Sequence, residues 1–268
     1  MEGKCIVSTC GKAASKCCGS CGFVRYCSVE CQRVDWKEVH KIVECVNMKK
    51  LALANLTEEE IKEVVDKIMI MSNRIAAIGE VERSIDVMKE CIAFVRDRLG
   101  QLNRNDSHGL IGDCVRPNNL ILCSLLNRLG HDYQIMLTSS ESDHHAIFYL
   151  SESREMLVQM RDGGVNDMEM WQLLIYGEAG LYHLHVKINQ FEKAKYYAVE
   201  SVATARQYKG PDQIDNLLTA LSVLSAYLTL KREYPEALSL AEEEYMIASK
   251  HYSPAHKIVL RASRQMIE

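Results

Sequence analysis

The chain has 268 residues, 47% of them hydrophobic and 25% charged, enough to bury a sizeable core in one large and one small domain. The net charge of −4 excludes the strongly basic balance of a dedicated nucleic-acid binder. Uninterrupted apolar runs are short, as in Leu120–Cys123, which excludes a helix across a bilayer.

The charge is unevenly divided. Residues 1–50 carry nine Lys/Arg against five Asp/Glu, and the remainder is acidic, so a basic head on an acidic body is expected. Met1–Val7 has no apolar signal core, so an intracellular protein, cytoplasmic or nuclear, is expected. Thiols stay reduced in those compartments, so clustered cysteines there read as metal ligands rather than disulfides.

Eight of the 11 cysteines fall in the first 45 residues: Cys5, Cys10, Cys17, Cys18, Cys21, Cys27, Cys31 and Cys45, with His40 among them. Two- and three-residue gaps, as in Cys18-x2-Cys21 and Cys27-x3-Cys31, bring pairs of thiolates within reach of one ion. A unit of this size cannot bury enough apolar surface to fold unaided, so the metal must serve as its core.

The stretch "CGKAASKCCGSCGFVRYCSVECQRVDWKEVHKIVEC" resembles the MYND zinc finger, over residues 5–45. The resemblance implies two zinc ions in crossed order. One falls on Cys5, Cys10, Cys27 and Cys31, the other on Cys18, Cys21, His40 and Cys45. Cys10 and Cys18 are separated by the family's seven residues, which makes Cys17 a bystander. Three spacings depart from the family: the opening C-x4-C, with Val7 where the first cysteine would stand, and the closing Cys31-x8-His40 and His40-x4-Cys45, each one residue longer than usual. The resemblance also implies a shallow groove for short proline-containing peptides, beside a helix carrying Gln32 and Trp36. A tryptophan face suits a proline ring, and a glutamine amide can bond a peptide backbone.

Residues 47–56 read as a linker between a finger at 1–46 and a helical body at 57–268. Thr57 with Glu60 forms a capping-box pattern, so a helix should begin near Glu58. Ile61, Val64, Val65, Ile68, Met71 and Ile75 then recur on one helical stripe. "NDSHGLIGDCVRPNN", Asn105–Asn119, reads as the clearest loop. Further on a repeat appears: Ala194 and Ala237 stand 43 residues apart, each with an aromatic three residues earlier, Phe191 and Tyr234, and an alanine four residues later, Ala198 and Ala241. Weaker copies lie at His144–Arg161 and Glu80–Arg98. The pattern resembles tetratricopeptide repeats of the longer kind seen in kinesin light chains, clearest over 175–211 and 218–254. The usual glycine of the first helix is replaced by Tyr182 in one copy and Ser225 in the other. The fold expected is therefore mainly α, a small two-zinc finger followed by a helical-hairpin solenoid.

No phosphate-binding glycine loop or nucleophile elbow occurs. "GDCVRPNN" lacks the Asn-His pair of a SET-type lysine methyltransferase, the enzyme many such fingers accompany. The paired histidines His144–His145 and His183–His185 do not face one another on a helix. The sequence thus points to a non-enzymatic adaptor whose partners are proteins or proline-containing peptides, with zinc as its cofactor, and with no small-molecule substrate and no membrane. A methyltransferase relative and a nucleic-acid-associated regulator acting through the basic head are the alternatives weighed.

Overall fold

The computed structural model describes residues 3–7, 10, 12–19, 24–35, 56–105, 116–136, 139–210 and 212–265. Two compact units divide the chain, Met1–Leu125 and Leu126–Glu268. The first holds the finger, two long helices and the start of a third; the second holds the remaining helices.

The finger is built from β1 (Gly3–Lys4), β2 (Ala13–Ala14), β3 (Lys16–Cys17), β4 (Arg25–Tyr26) and α1 (Val29–Asp35). Strands β1 and β2 pair antiparallel, as do β3 and β4. The described apolar interior is small: Ile6, Ala14, Val24 and Tyr26.

Helix α2 (Glu58–Ala77) begins where the capping box predicts. The Thr57 side chain accepts from the Glu60 N–H, and the Glu60 carboxylate accepts from the Thr57 N–H at 2.8 Å. All six residues of the predicted stripe, Ile61 to Ile75, are buried, each contributing on the order of 1.5–3 kcal/mol. Helix α3 (Val81–Asn105) returns against α2. Ser72 and Ser84 meet across this hairpin with their hydroxyls 2.7 Å apart, each also within hydrogen-bond reach of the other's backbone carbonyl.

Helix α4 (Arg116–Met136) corrects one expectation: the loop predicted over Asn105–Asn119 has already become helix at Arg116. Pro117 is the reason the sequence misleads. It stands in the first turn, where a missing N–H is tolerated. The remaining helices are α5 (Ser140–Asp162), α6 (Met168–Lys187), α7 (Phe191–Gln207), α8 (Gln213–Leu230), α9 (Tyr234–His251) and α10 (Lys257–Gln265). Gly130 lets α4 and α5 approach closely, since a Cβ there would lie 2.6 Å from Leu150 Cγ.

The repeat is real and extends further than its alanines reveal. Helices α3, α5, α7 and α9 bury the same four positions: Ser84, Met88, Cys91 and Val95; Ala146, Leu150, Ser153 and Leu157; Ala194, Ala198, Ser201 and Ala205; Ala237, Ala241, Glu244 and Ala248. The weak copies at Glu80–Arg98 and His144–Arg161 therefore fall on α3 and α5, with the same burial spacing as α7 and α9.

The turns repeat as well. Gly79, Asn189 and Arg232 are the middle residues of three-residue connectors, with φ of 84°, 59° and 62°. In each, the middle N–H donates three residues back and the next N–H donates five residues back, closing the helix end with a left-handed residue. Where a first-helix glycine is replaced, the structure shows what stands instead. Ser225 is buried and donates to the Ala237 carbonyl at 3.1 Å. Tyr182 packs edge-on against Tyr227 at 6.4 Å.

Two junctions in the second unit carry buried ion pairs of opposite polarity. Between α5 and α6, Arg154 donates to the fully buried Glu178 at 3.1 Å, and also reaches Glu200 and the Tyr196 hydroxyl on α7, both at 3.2 Å. Between α9 and α10, the fully buried Glu244 accepts from Arg261 at 2.7 Å.

Candidate metal centre

The strands and α1 bring four sulfurs together. The Sγ atoms of Cys5, Cys10, Cys27 and Cys31 all lie within 4.8 Å of one another. Cys27 and Cys31 flank the start of α1, one turn apart. Ser28 caps this helix, its hydroxyl accepting from the Cys31 N–H at 3.2 Å. Cys5 leaves β1 with its N–H donating to the Lys12 carbonyl at 3.0 Å. The stretched C-x4-C opening closes as a turn, in which the Cys10 N–H donates to the Val7 carbonyl at 2.9 Å. Despite the longer spacing, Cys10 stands in the cluster with Cys5.

Thiols packed this closely share protons unequally. Cys10 is drawn down to about 7, first by a hydrogen bond from the Lys12 backbone and then by the Cys27 thiol. Cys27 is pushed up to about 12 through its contacts with Cys10, 3.4 Å away, and Cys31, 3.5 Å away. A divalent cation reverses this pattern, because it favours the thiolate at every ligand. Four soft donors converging on one point, with no histidine or carboxylate among them, fit tetrahedral zinc. Cys5, Cys10, Cys27 and Cys31 would hold it, and the ion would supply shape rather than reactivity.

The remaining candidates separate by position. Cys17 is exposed on β3, and Cys18 beside it is buried. Cys21, His40 and Cys45, the other members of the second expected set, lie outside the described residues, as does Trp36. Gln32 is half-buried on α1, between the exposed Val29 and Val34.

Sequence reasoning missed a polar cluster built from residues next to the cysteines in the chain. Tyr26 is fully buried, and its hydroxyl donates to Asp35 Oδ2 at 2.8 Å. Asp35 Oδ1 accepts from Arg74 of α2 at 2.6 Å. Tyr26 adjoins Cys27 and stands inside the quoted motif, but no local pattern could pair Asp35 with a residue 39 positions away.

Fold and site together define a metal-held finger followed by helical hairpins. Residues 5–45 match the family model described as the MYND finger, a zinc-binding protein-interaction domain. Over 35 residues the chain is 57% identical to ubiquitin carboxyl-terminal hydrolase 19 of Arabidopsis thaliana, covering 13% of this chain and 5% of that relative's length. Among solved structures, BtubC (BKLC) from P. vanneervenii matches with a TM-score of 0.55 at 13% identity, covering 84% of this chain and 79% of that one. At that identity the likeness shows the fold alone, and it agrees with tetratricopeptide-like hairpins. Among the described residues, no helix is long and apolar enough to cross a membrane.

Proposed function

We propose that this protein is a non-enzymatic adaptor whose finger docks short proline-containing peptides and whose helical hairpins offer a second protein a surface. The observation that carries this reading is the four-sulfur cluster, which fixes α1 with Gln32 on it. The groove would lie beside α1, with Gln32 bonding the peptide backbone and Trp36 stacking on proline. A second zinc on Cys18, Cys21, His40 and Cys45 completes the finger in this reading. The body supports the second surface through exposed apolar side chains on its second helices, among them Phe148, Tyr196, Leu238 and Met246. A shallow cavity of about 390 Å³ opens on α9, lined by Ser239, Glu242, Glu243, Tyr245 and Met246. The protein acts inside the cell, in cytoplasm or nucleus, where its thiols stay reduced.

Metal content and peptide capture test this reading. The full chain should hold about two zinc per molecule. Cys18→Ser should lose one ion, and Cys17→Ser none; the reverse would exchange their roles. Proline-rich peptide capture should fall at least ten-fold in Trp36→Ala and less in Gln32→Ala, by about 1–2 kcal/mol per lost anchor. Capture that is indifferent to both substitutions overturns the groove. A thermal shift with a methyl donor would instead revive the methyltransferase, and steeply salt-dependent binding of nucleic acid would favour the basic head.

A further inference from the structure

Metal-held finger and helical hairpin meet within the first unit, at the turn between α2 and α3. The Lys4 N–H donates to Glu80 Oε1 at 2.8 Å, and Lys4 Nζ donates to the Ile78 carbonyl at 3.4 Å. A Cβ on Gly79, between them, would lie 3.4 Å from Lys4 Nζ. Asp35 is 5% exposed and holds Tyr26 on one oxygen and Arg74 on the other. A carboxylate so buried depends on both partners, because an unpaired buried charge is costly.

The docking residues are tied in sequence to the sulfur cluster. Lys4 precedes Cys5, Tyr26 precedes Cys27, and Asp35 lies one helical turn beyond Cys31. Whatever fixes the cysteines therefore aligns Lys4 and Asp35, which grip the turn and the end of α2, and Tyr26, which holds Asp35. We propose that Asp35 is a positioning residue that docks the finger on the α2–α3 turn through Arg74, so that metal binding and docking stabilise each other. Linkage makes the coupling reciprocal: what loosens Arg74 must also weaken the metal. The inference rests on the reading of the finger as a zinc holder, and adds to it a contact outside the finger that tunes its affinity.

The test uses the full chain, zinc, and a competing chromophoric chelator. Arg74→Ala should weaken zinc binding about five-fold or more, at the low end of site-to-site coupling, while stoichiometry at saturating zinc is unchanged. Arg74→Lys, which keeps a cation, should recover part of the loss. Glu80→Ala, a half-buried change outside the helices, should weaken zinc binding by a smaller factor. In the wild type, chelation should speed amide exchange over residues 74–84 and leave α7 and α9 unaltered. A helical circular-dichroism signal equal to wild type in each variant excludes misfolding as the cause. Unchanged zinc affinity in both Arg74→Ala and Glu80→Ala, or exchange at the turn that ignores chelation, overturns the inference while the finger still holds zinc. A wild-type chain that binds no zinc overturns the zinc reading itself, and this inference with it.

Discussion

The finger and the helical body solve the same problem, holding a backbone in one shape, with opposite means. Among its described residues the finger has two-residue strands, a seven-residue helix and few buried apolar side chains, so its geometry is concentrated in four sulfurs within 4.8 Å. The body distributes its geometry over a stripe of buried positions repeated on four helices, with many contacts of modest value. A concentrated design fails all at once, whereas a distributed one fails by increments.

The largest expected effect tests that contrast directly. Chelation, or Cys27→Ser, should abolish the finger's tertiary structure, since structural zinc supplies on the order of 10 kcal/mol. The helical circular-dichroism signal should persist. Loss of the helical signal on chelation would break the comparison. Next, Leu150→Ala should cost about 2–5 kcal/mol in denaturant unfolding by opening a cavity beside Gly130. Ala198→Leu should cost about 1–3 kcal/mol by overpacking. Neither should alter zinc content.

A third effect depends on pH. Burial raises the Glu178 carboxyl from its ordinary 4.5 to about 7, against the pull of Arg154. The folded state thus retains a proton that the unfolded chain releases. This contribution to stability is full below about 4.5 and falls as pH rises to about 7. Glu178→Gln should flatten that slope in thermal unfolding followed from pH 4.5 to 7; an unchanged slope would assign the proton elsewhere. Smallest is Arg206→Ala. It breaks an exposed pair to Glu243 at 2.9 Å and should cost under about 1 kcal/mol.

What the sequence disclosed follows the same division. Short gaps marked the cysteines as metal ligands, because such ligands must be close in the chain to be gathered by so small a fold, and the family resemblance grouped Cys5, Cys10, Cys27 and Cys31 as one set. The Thr57–Glu60 box marked the start of α2 for an equally local reason. The last two hairpins were legible through Ala194 and Ala237. The earlier ones were obscured because Leu150 and Met88 occupy the slots of Ala198 and Ala241, preserving burial but not identity. The start of α4 was hidden by Pro117, whose usual meaning as a breaker lapses in a first turn. Arg154–Glu178, Arg261–Glu244 and Asp35–Arg74 left no trace, since their partners lie 24, 17 and 39 residues apart with no period to announce them.

The left-handed turn residues have a consequence for how such a chain can lengthen. Asn189 and Arg232 are 43 residues apart, the same interval that separates Ala194 from Ala237. Turn and stripe therefore keep step across the last two hairpins, where 43 residues carry the chain from one turn state to the next. Copying or excising that length returns the chain to the same backbone state at the cut, so the body can gain or lose a hairpin without a new joint being invented.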